Sequence, residues 1–441
     1  MRSVTADMEP RVQRSWEGTR MDKVKKPIKG NIIVGQSGGP TAVINSSLAG
    51  VIKASRTAGV KKIYGMHYGI EGFLQEDIID LDDYFTTSHD LSMLKRTPSA
   101  FLGTCRYKLP AIEGNEDVYE KIFQILDKYN IQYFLYNGGN DSMDTIKMLS
   151  DYAAMHDKTQ KFMGIPKTID NDLPMTDHCP GYGSSAKYIA TSMKEIIRDN
   201  ESYGVSKPTI CIVEIMGRNA GWLTAAAALS KDVDCNGPDL IYLPEVVFDI
   251  DNFIERIKEL AAVKKSVVVA VSEGLKIKDG RFVCELGSSN DHVDAFGHKQ
   301  LAGTAAYLAN LVKNETGLKS RYIEFSSLQR CAAHLASRTD ADEAYNVGYL
   351  AAEAAFNGHT GEMITIDVIS REPYIEEYDM FDIHEVANVE RKVPKAWITN
   401  NGTYVSDEYV AYVRPLIMGN LQPYTAAGVP IHMTLKNKKK K

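Results

Sequence analysis

No Cys-x-x-Cys pair occurs in the 441 residues, and the six cysteines (Cys105, Cys179, Cys211, Cys235, Cys284 and Cys331) lie far apart. Such spacing argues against a zinc ribbon or a disulfide framework and fits reduced thiols in a cytoplasmic protein. The ten histidines never form a His-Glu-x-x-His pair, so a zincin is not supported. No apolar run approaches the ~18–20 residues of a membrane-spanning helix. A basic excess is also missing. The net charge is −6, so no general attraction to nucleic acid is expected, and an anionic ligand must be gathered by local Arg and Lys. The four closing lysines, Lys438 to Lys441, read as a solvated tail. Residues 1–29 are polar and lack an apolar h-region, which excludes a secretory signal and predicts a flexible extension, with Met21 an alternative start.

What is present is ordinary for a soluble globular protein: 44% hydrophobic and 24% charged residues, in a chain long enough for two or three domains. Short apolar runs alternate with helical periodicity. Asn31 to Gly35, Lys62 to Met66, Ile131 to Tyr136 and the run before Pro166 read as strands. Between them, Ile44, Leu48, Val51 and Ile52 mark a helix with Thr41 as its expected N-cap. Val118 to Leu126 and Ile146 to Ala153 mark two more. The rhythm restarts near Gly181, with strands at Ile210 to Ile215, Asp239 to Leu243 and Ser266 to Ser272 and a helix over Phe253 to Ala261. A late helix through Val347 and Ala355 is closed by Gly358 at C′. The alternation predicts an α/β fold: parallel sheets covered on both faces.

Chemistry concentrates at the strand ends. Gly35-Gln36-Ser37-Gly38-Gly39-Pro40 and Gly138-Gly139-Asn140-Asp141-Ser142 offer backbone N–H groups to phosphate, or are plain turns. Pro166-Lys167-Thr168-Ile169-Asp170-Asn171-Asp172 is the most informative segment. Two carboxylates at i and i+2 share a face of extended chain, so one can take a proton while the other serves a cation. Lys167 meets phosphate as a point charge. Met216-Gly217-Arg218 places an Arg fork at another strand end, suited to phosphate or to an ion pair with Glu214. Together these loops indicate phosphoryl transfer with a cation and a sugar or nucleotide phosphate.

In this order the segments resemble the phosphofructokinase family, from about residue 30 to at least 370. The resemblance implies two Rossmann-like three-layer α/β/α domains with mainly parallel sheets and a site between them. It implies Asp170 as the base on the C1 hydroxyl of fructose 6-phosphate, with Thr168 and Asp172 assisting. Gly39 belongs to the first Gly-Gly turn. Met216, Gly217, Arg218 and Glu273 hold the sugar, Arg106 neutralises the transferred phosphoryl, and Arg321 and Arg330 grip the 6-phosphate. The cofactor implied is Mg²⁺, with Asn140 standing where most members carry an Asp ligand.

Two positions bear on the donor. ATP-using members carry glycine where Asp141 and Lys167 stand here, and the substitutions resemble pyrophosphate-dependent members, as does Val393 to Ile398. The expected substrates are therefore pyrophosphate and fructose 6-phosphate, in a homodimer or homotetramer. The rivals are an ATP-dependent enzyme, a kinase of sedoheptulose 7-phosphate, and a non-catalytic regulatory subunit. Thr209 and Ser327 depart from the family's Arg and His, which weakens the expected sugar-phosphate grip. The expected division is a donor domain over 30–180 plus about 327–375, and a sugar domain over 181–326 plus about 376–441.

Overall fold

The computed structural model describes residues 28–203, 207–287 and 301–435, so most of the expected N-terminal extension and the lysine tail lie outside the described residues. Two main sheets are built from β1 (Asn31–Gln36), β2 (Ile63–Met66), β3 (Ile78–Asp80), β4 (Ile131–Gly138), β5 (Lys161–Pro166), β6 (Thr209–Ile215), β7 (Leu240–Tyr242), β8 (Ser266–Ser272), β9 (Lys319–Glu324), β10 (Glu362–Arg371) and β11 (Tyr374–Asp382). The first sheet runs β11-β10-β5-β4-β1-β2-β3, and the second β7-β8-β6-β9. All pairings are parallel except the two at the edges of the first sheet, β2 with β3 and β10 with β11.

Strand alternation explains why both faces are buried. In β1 and β4, Ile32, Val34, Tyr133 and Leu135 face the helices Ile44–Thr57 and Arg338–Phe356. Ile33, Phe134 and Tyr136 face the helices Glu116–Lys128 and Asn140–Met155. A strand apolar on both faces reads as an unbroken apolar run, which is why these were legible. The second sheet is built alike. Cys211, Val213 and Ile215 pack on the helix Tyr182–Glu201, while Ile210 and Ile212 pack with the helices Ile250–Val263 and Thr304–Thr316.

Three expectations need correction. The first helix begins at Ile44, because the Thr41 hydroxyl accepts the Val43 N–H at 3.2 Å and caps the preceding turn instead. β11 stays in the first sheet, and Ile383 and Val386 still pack into that domain's core, so the chain leaves it near 387 rather than 375. Val393, Val405, Tyr409 and Leu416 then enter the second core, but Leu421 packs with Ala42 and Val43 of the first domain. The C-terminal segment therefore belongs to both domains. Among the described residues no helix is long and apolar enough to cross a membrane.

Candidate active site

The C-terminal ends of β1, β4 and β5 face those of β6 and β8 across a cleft, the place where open α/β sheets bind ligands. The cavity there measures about 400 Å³. Its lining brings together Gly39, Arg106, Asn140, Asp141, Lys167, Thr168, Asp170, Asp172, Met216, Arg218, Glu273 and Arg330. Residues distant in sequence meet because all but Arg106 follow a strand or stand at the start of the helix after it, while Arg106 comes from the loop between the helices Ser88–Lys95 and Glu116–Lys128.

On the donor side, Gly138 lets the helix Asn140–Met155 start directly off β4: a Cβ there would lie 1.9 Å from the Ser142 Oγ. Asp141 sits in the first turn of that helix. The buried Lys167 ammonium reaches under the Gly38-Gly39 turn and donates to the Gly39 carbonyl at 2.8 Å. Burial lowers its pKa to about 8, against the pull of the Asp170 and Asp172 charges. Arg330 comes to the same turn, its Nη1 3.4 Å from where a Cβ of Gly39 would stand.

The loop after β5, the candidate catalytic loop, is a tight turn. The Thr168 hydroxyl accepts the Asp170 N–H at 3.0 Å, and Asn171 takes a left-handed conformation with φ 55°. The Asn171 amide is fully used, donating to the Tyr412 hydroxyl at 2.9 Å and accepting the Cys179 N–H at 2.9 Å. Burial raises the Asp170 pKa, and Lys167 opposes that rise. Asp172 is pushed up to about 7 by burial and then by the charges of Asp170 and Glu390. A pair of carboxylates with raised proton affinity, set beside an ammonium, suits acid–base work near neutral pH.

Across the cleft, Gly217 holds φ 140°, and a Cβ there would come within 2.6 Å of the Ala220 carbonyl. Its N–H donates to Glu273 Oε1 at 3.4 Å, which ties the loop after β6, the candidate sugar loop, to the end of β8. Burial, followed by the Asp170 charge, lifts Glu273 to about 8. Glu214, weighed as the partner of Arg218, instead accepts the Ala305 N–H at 2.8 Å at the start of the helix Thr304–Thr316.

Arg321 does not join this cleft. It lies three residues into β9, pairs with Asp199 at 2.6 Å and lies over the Tyr203 ring at 4.8 Å. The cleft opens beyond the other end of the sheet, so strand position separates Arg321 from Arg330. The expectation of Asn140 as a metal ligand also changes. Its Nδ2 donates to the Val389 carbonyl at 2.5 Å and its Oδ1 accepts the Asn388 N–H at 2.6 Å, so both ends of the amide hold backbone. Residues missed in the sequence include Ser37, Ser142, Asn219 and Glu390, all lining the cavity. The charged run Glu390-Arg391-Lys392 before Val393-Pro394 was the available signal for the last of these.

Residues 31–355 match the Phosphofructokinase family. The chain is 40% identical over 409 residues to pyrophosphate–fructose 6-phosphate 1-phosphotransferase of Methylococcus capsulatus, covering 92% of this chain and 96% of that one. The protein of the same name from Halomonas elongata is 40% identical over 91% of this chain and 94% of its own length. The crystal structure of pyrophosphate-dependent phosphofructokinase from Nitrosospira multiformis superposes with a TM-score of 0.83 at 38% identity, covering 92% of this chain and 97% of that one. The strand-end loops, the cleft they form and these likenesses agree: the chain belongs to the phosphofructokinase family.

Proposed function

We propose that this chain transfers a phosphoryl group from pyrophosphate to the C1 hydroxyl of fructose 6-phosphate, giving fructose 1,6-bisphosphate and phosphate. The observation that carries the donor choice is the Lys167 ammonium under the Gly38-Gly39 turn, with Asp141 in the same cavity. Lys167 presents a compact charge to a compact anion. A nucleotide donor would bring a further phosphate toward the Asp141 carboxylate, where bulk and repulsion oppose it.

Asp170 takes the proton of the C1 hydroxyl as that oxygen bonds to the near phosphorus. The bridging P–O bond breaks, and phosphate leaves with the electron pair. Lys167 and Arg106 neutralise the oxygens in flight, since positioning and charge dominate phosphoryl transfer. Arg330 grips the 6-phosphate, and Met216, the Gly217 backbone, Arg218 and Glu273 hold the sugar, with Thr168 steadying the base. Among the described residues no cluster of three metal-ligating side chains exists. Mg²⁺ does not need one, because it keeps several waters and shares substrate phosphates with one or two carboxylates. Asp141 and Asp172 fit that demand, and Mg²⁺ bound there would neutralise pyrophosphate charge. The reading includes a reversible reaction serving glycolysis or gluconeogenesis, in a cytoplasmic homodimer or homotetramer.

The test is fructose 1,6-bisphosphate formation with Mg²⁺ and either pyrophosphate or ATP. Turnover with pyrophosphate alone, lowered about 10²–10⁴-fold in Asp170→Asn, is the expected result. Turnover with ATP alone would overturn the donor assignment. Turnover only with sedoheptulose 7-phosphate would move the acceptor, and silence under all conditions would leave a regulatory subunit.

A further inference from the structure

The segment 388–393 crosses from the first domain to the second and touches three loops of the cleft, those after β4, β5 and β6. At its start it is held by the Asn140 amide of the donor loop. Glu390 then faces the sugar loop, accepting an N–H from the Asn219 amide at 3.1 Å. At its end, the Val393 N–H shares Glu245 Oε1 with the Gly221 N–H, at 3.0 and 2.8 Å.

Arg391 makes the densest contacts of this strap, and they fall on the catalytic loop. Its backbone N–H donates to the Asp172 carbonyl at 2.7 Å. Its guanidinium donates to the Asn171 carbonyl from Nη2 at 3.0 Å and from Nε at 3.3 Å. From Nη1 it donates to the carbonyls of Thr176 and Asp177, at 2.8 and 2.5 Å. Its plane lies 4.8 Å from the Trp222 ring, and its carbonyl accepts the indole N–H at 3.1 Å. Arg391 does not itself line the cavity.

These contacts have a mechanical meaning. Asn171 sits between the two carboxylates in a left-handed conformation, which Asn tolerates better than other residues with a Cβ but which still departs from the common backbone regions. Such a turn persists when its surroundings over-determine it. A rigid guanidinium fork, pre-organised for several acceptors at once, does this better than a flexible ammonium. The same side chain rests on Trp222, so the base is referenced to the sugar loop rather than to its own domain alone.

We propose that Arg391 is the positioning residue of the base. By tying the Asn171 and Asp172 carbonyls to Trp222 and, through the strap, to Asn140, it keeps the Asp170 carboxylate in register with both substrates. This inference rests on the reading of Asp170 as the base.

The experiment compares Arg391→Lys and Arg391→Gln with the parent in steady-state turnover of pyrophosphate and fructose 6-phosphate with Mg²⁺. A misplaced base lowers kcat by about 10-fold in the Lys variant and about 100-fold in the Gln variant. Each KM stays within about 3-fold, because the substrate-binding groups remain. In an Asp170→Asn background the Arg391 substitution adds nothing further, since residues that act through one another are non-additive. A purely structural arginine would lower activity in both backgrounds alike. Arg391→Lys at parental kcat, a raised KM with kcat unchanged, or an Arg391 effect that persists in full without Asp170 would overturn the proposal. If Arg391→Gln does not fold, the Lys variant decides alone. If Asp170→Asn keeps parental turnover, the base assignment itself fails, whatever the strap does.

Discussion

The carboxylates of the cleft should make the unliganded protein less stable as pH rises, and Asp172→Asn isolates one of them. Asp172 stands at about 7 in the folded chain against an ordinary 3.8, raised by burial and by the Asp170 and Glu390 charges. A group with a raised folded pKa binds its proton more tightly when folded, so its contribution is complete below about pH 4 and is lost as pH rises through about 7. The difference between about 7 and 3.8, about 3, corresponds to about 4 kcal/mol at 1.4 kcal/mol per unit. Water in the open cleft reduces this to about 2–4 kcal/mol. Asparagine resembles the neutral acid and keeps the acceptor oxygen. The variant should therefore melt several degrees higher than the parent at pH 8 and nearly with it at pH 4.5, in thermal unfolding without ligands. Equal shifts at both pH values, or a lower melting point at pH 8, would refute the argument that Asp172 is held against its own charge. Activity should fall in the same variant, which separates the site's function from the fold's stability.

Other outcomes follow from the same geometry. Asp141→Gly combined with Lys167→Gly should gain measurable ATP turnover while pyrophosphate turnover falls at least about 100-fold, since a cation beside the transferred group is lost; donor-switched assays check both. Arg330→Ala should raise the fructose 6-phosphate KM about 10–100-fold, whereas Arg321→Ala, paired with Asp199 away from its own chain's cleft, should raise it far less. The buried His178 imidazolium is disfavoured by burial, yet Glu343 at 2.8 Å and Asp177 at 2.9 Å raise it to about 10. Its stabilisation should be complete below pH 6.5 and lost as pH rises through about 10. His178→Gln should be about 3–5 kcal/mol less stable at pH 6, because it leaves buried carboxylates uncompensated, and should lack that alkaline slope in urea unfolding.

Much of this was legible because it is local. A strand buried on both faces writes an unbroken apolar run, so β1, β4, β5, β6 and β8 were readable within a residue or two. β11 was not, because a half-exposed edge strand mixes Glu and Asp with apolar residues, and β10 beside it is fully buried only over Met363 to Ile366. The loops at strand ends announced themselves by glycines and by Thr168-Ile169-Asp170-Asn171-Asp172, where backbone demands restrict the residue type. Arg321 and Arg330 were paired by proximity in sequence, which says nothing about which end of a strand a side chain serves; only Arg330 lines this chain's cleft.

The chain alone thus determined the α/β alternation, the order of the candidate phosphate-facing loops and the identity of the candidate chemistry-bearing side chains, all properties of short segments. Only the tertiary structure decided what those side chains do to one another. It placed Lys167 under the Gly38-Gly39 turn, gave the Asn140 amide to the backbone of Asn388 and Val389, and laid Arg391 across the catalytic loop more than two hundred residues earlier. Long-range contacts depend on how two domains close on each other, and burial, which raises the proton affinity of Asp170 and Asp172, exists only once they have closed.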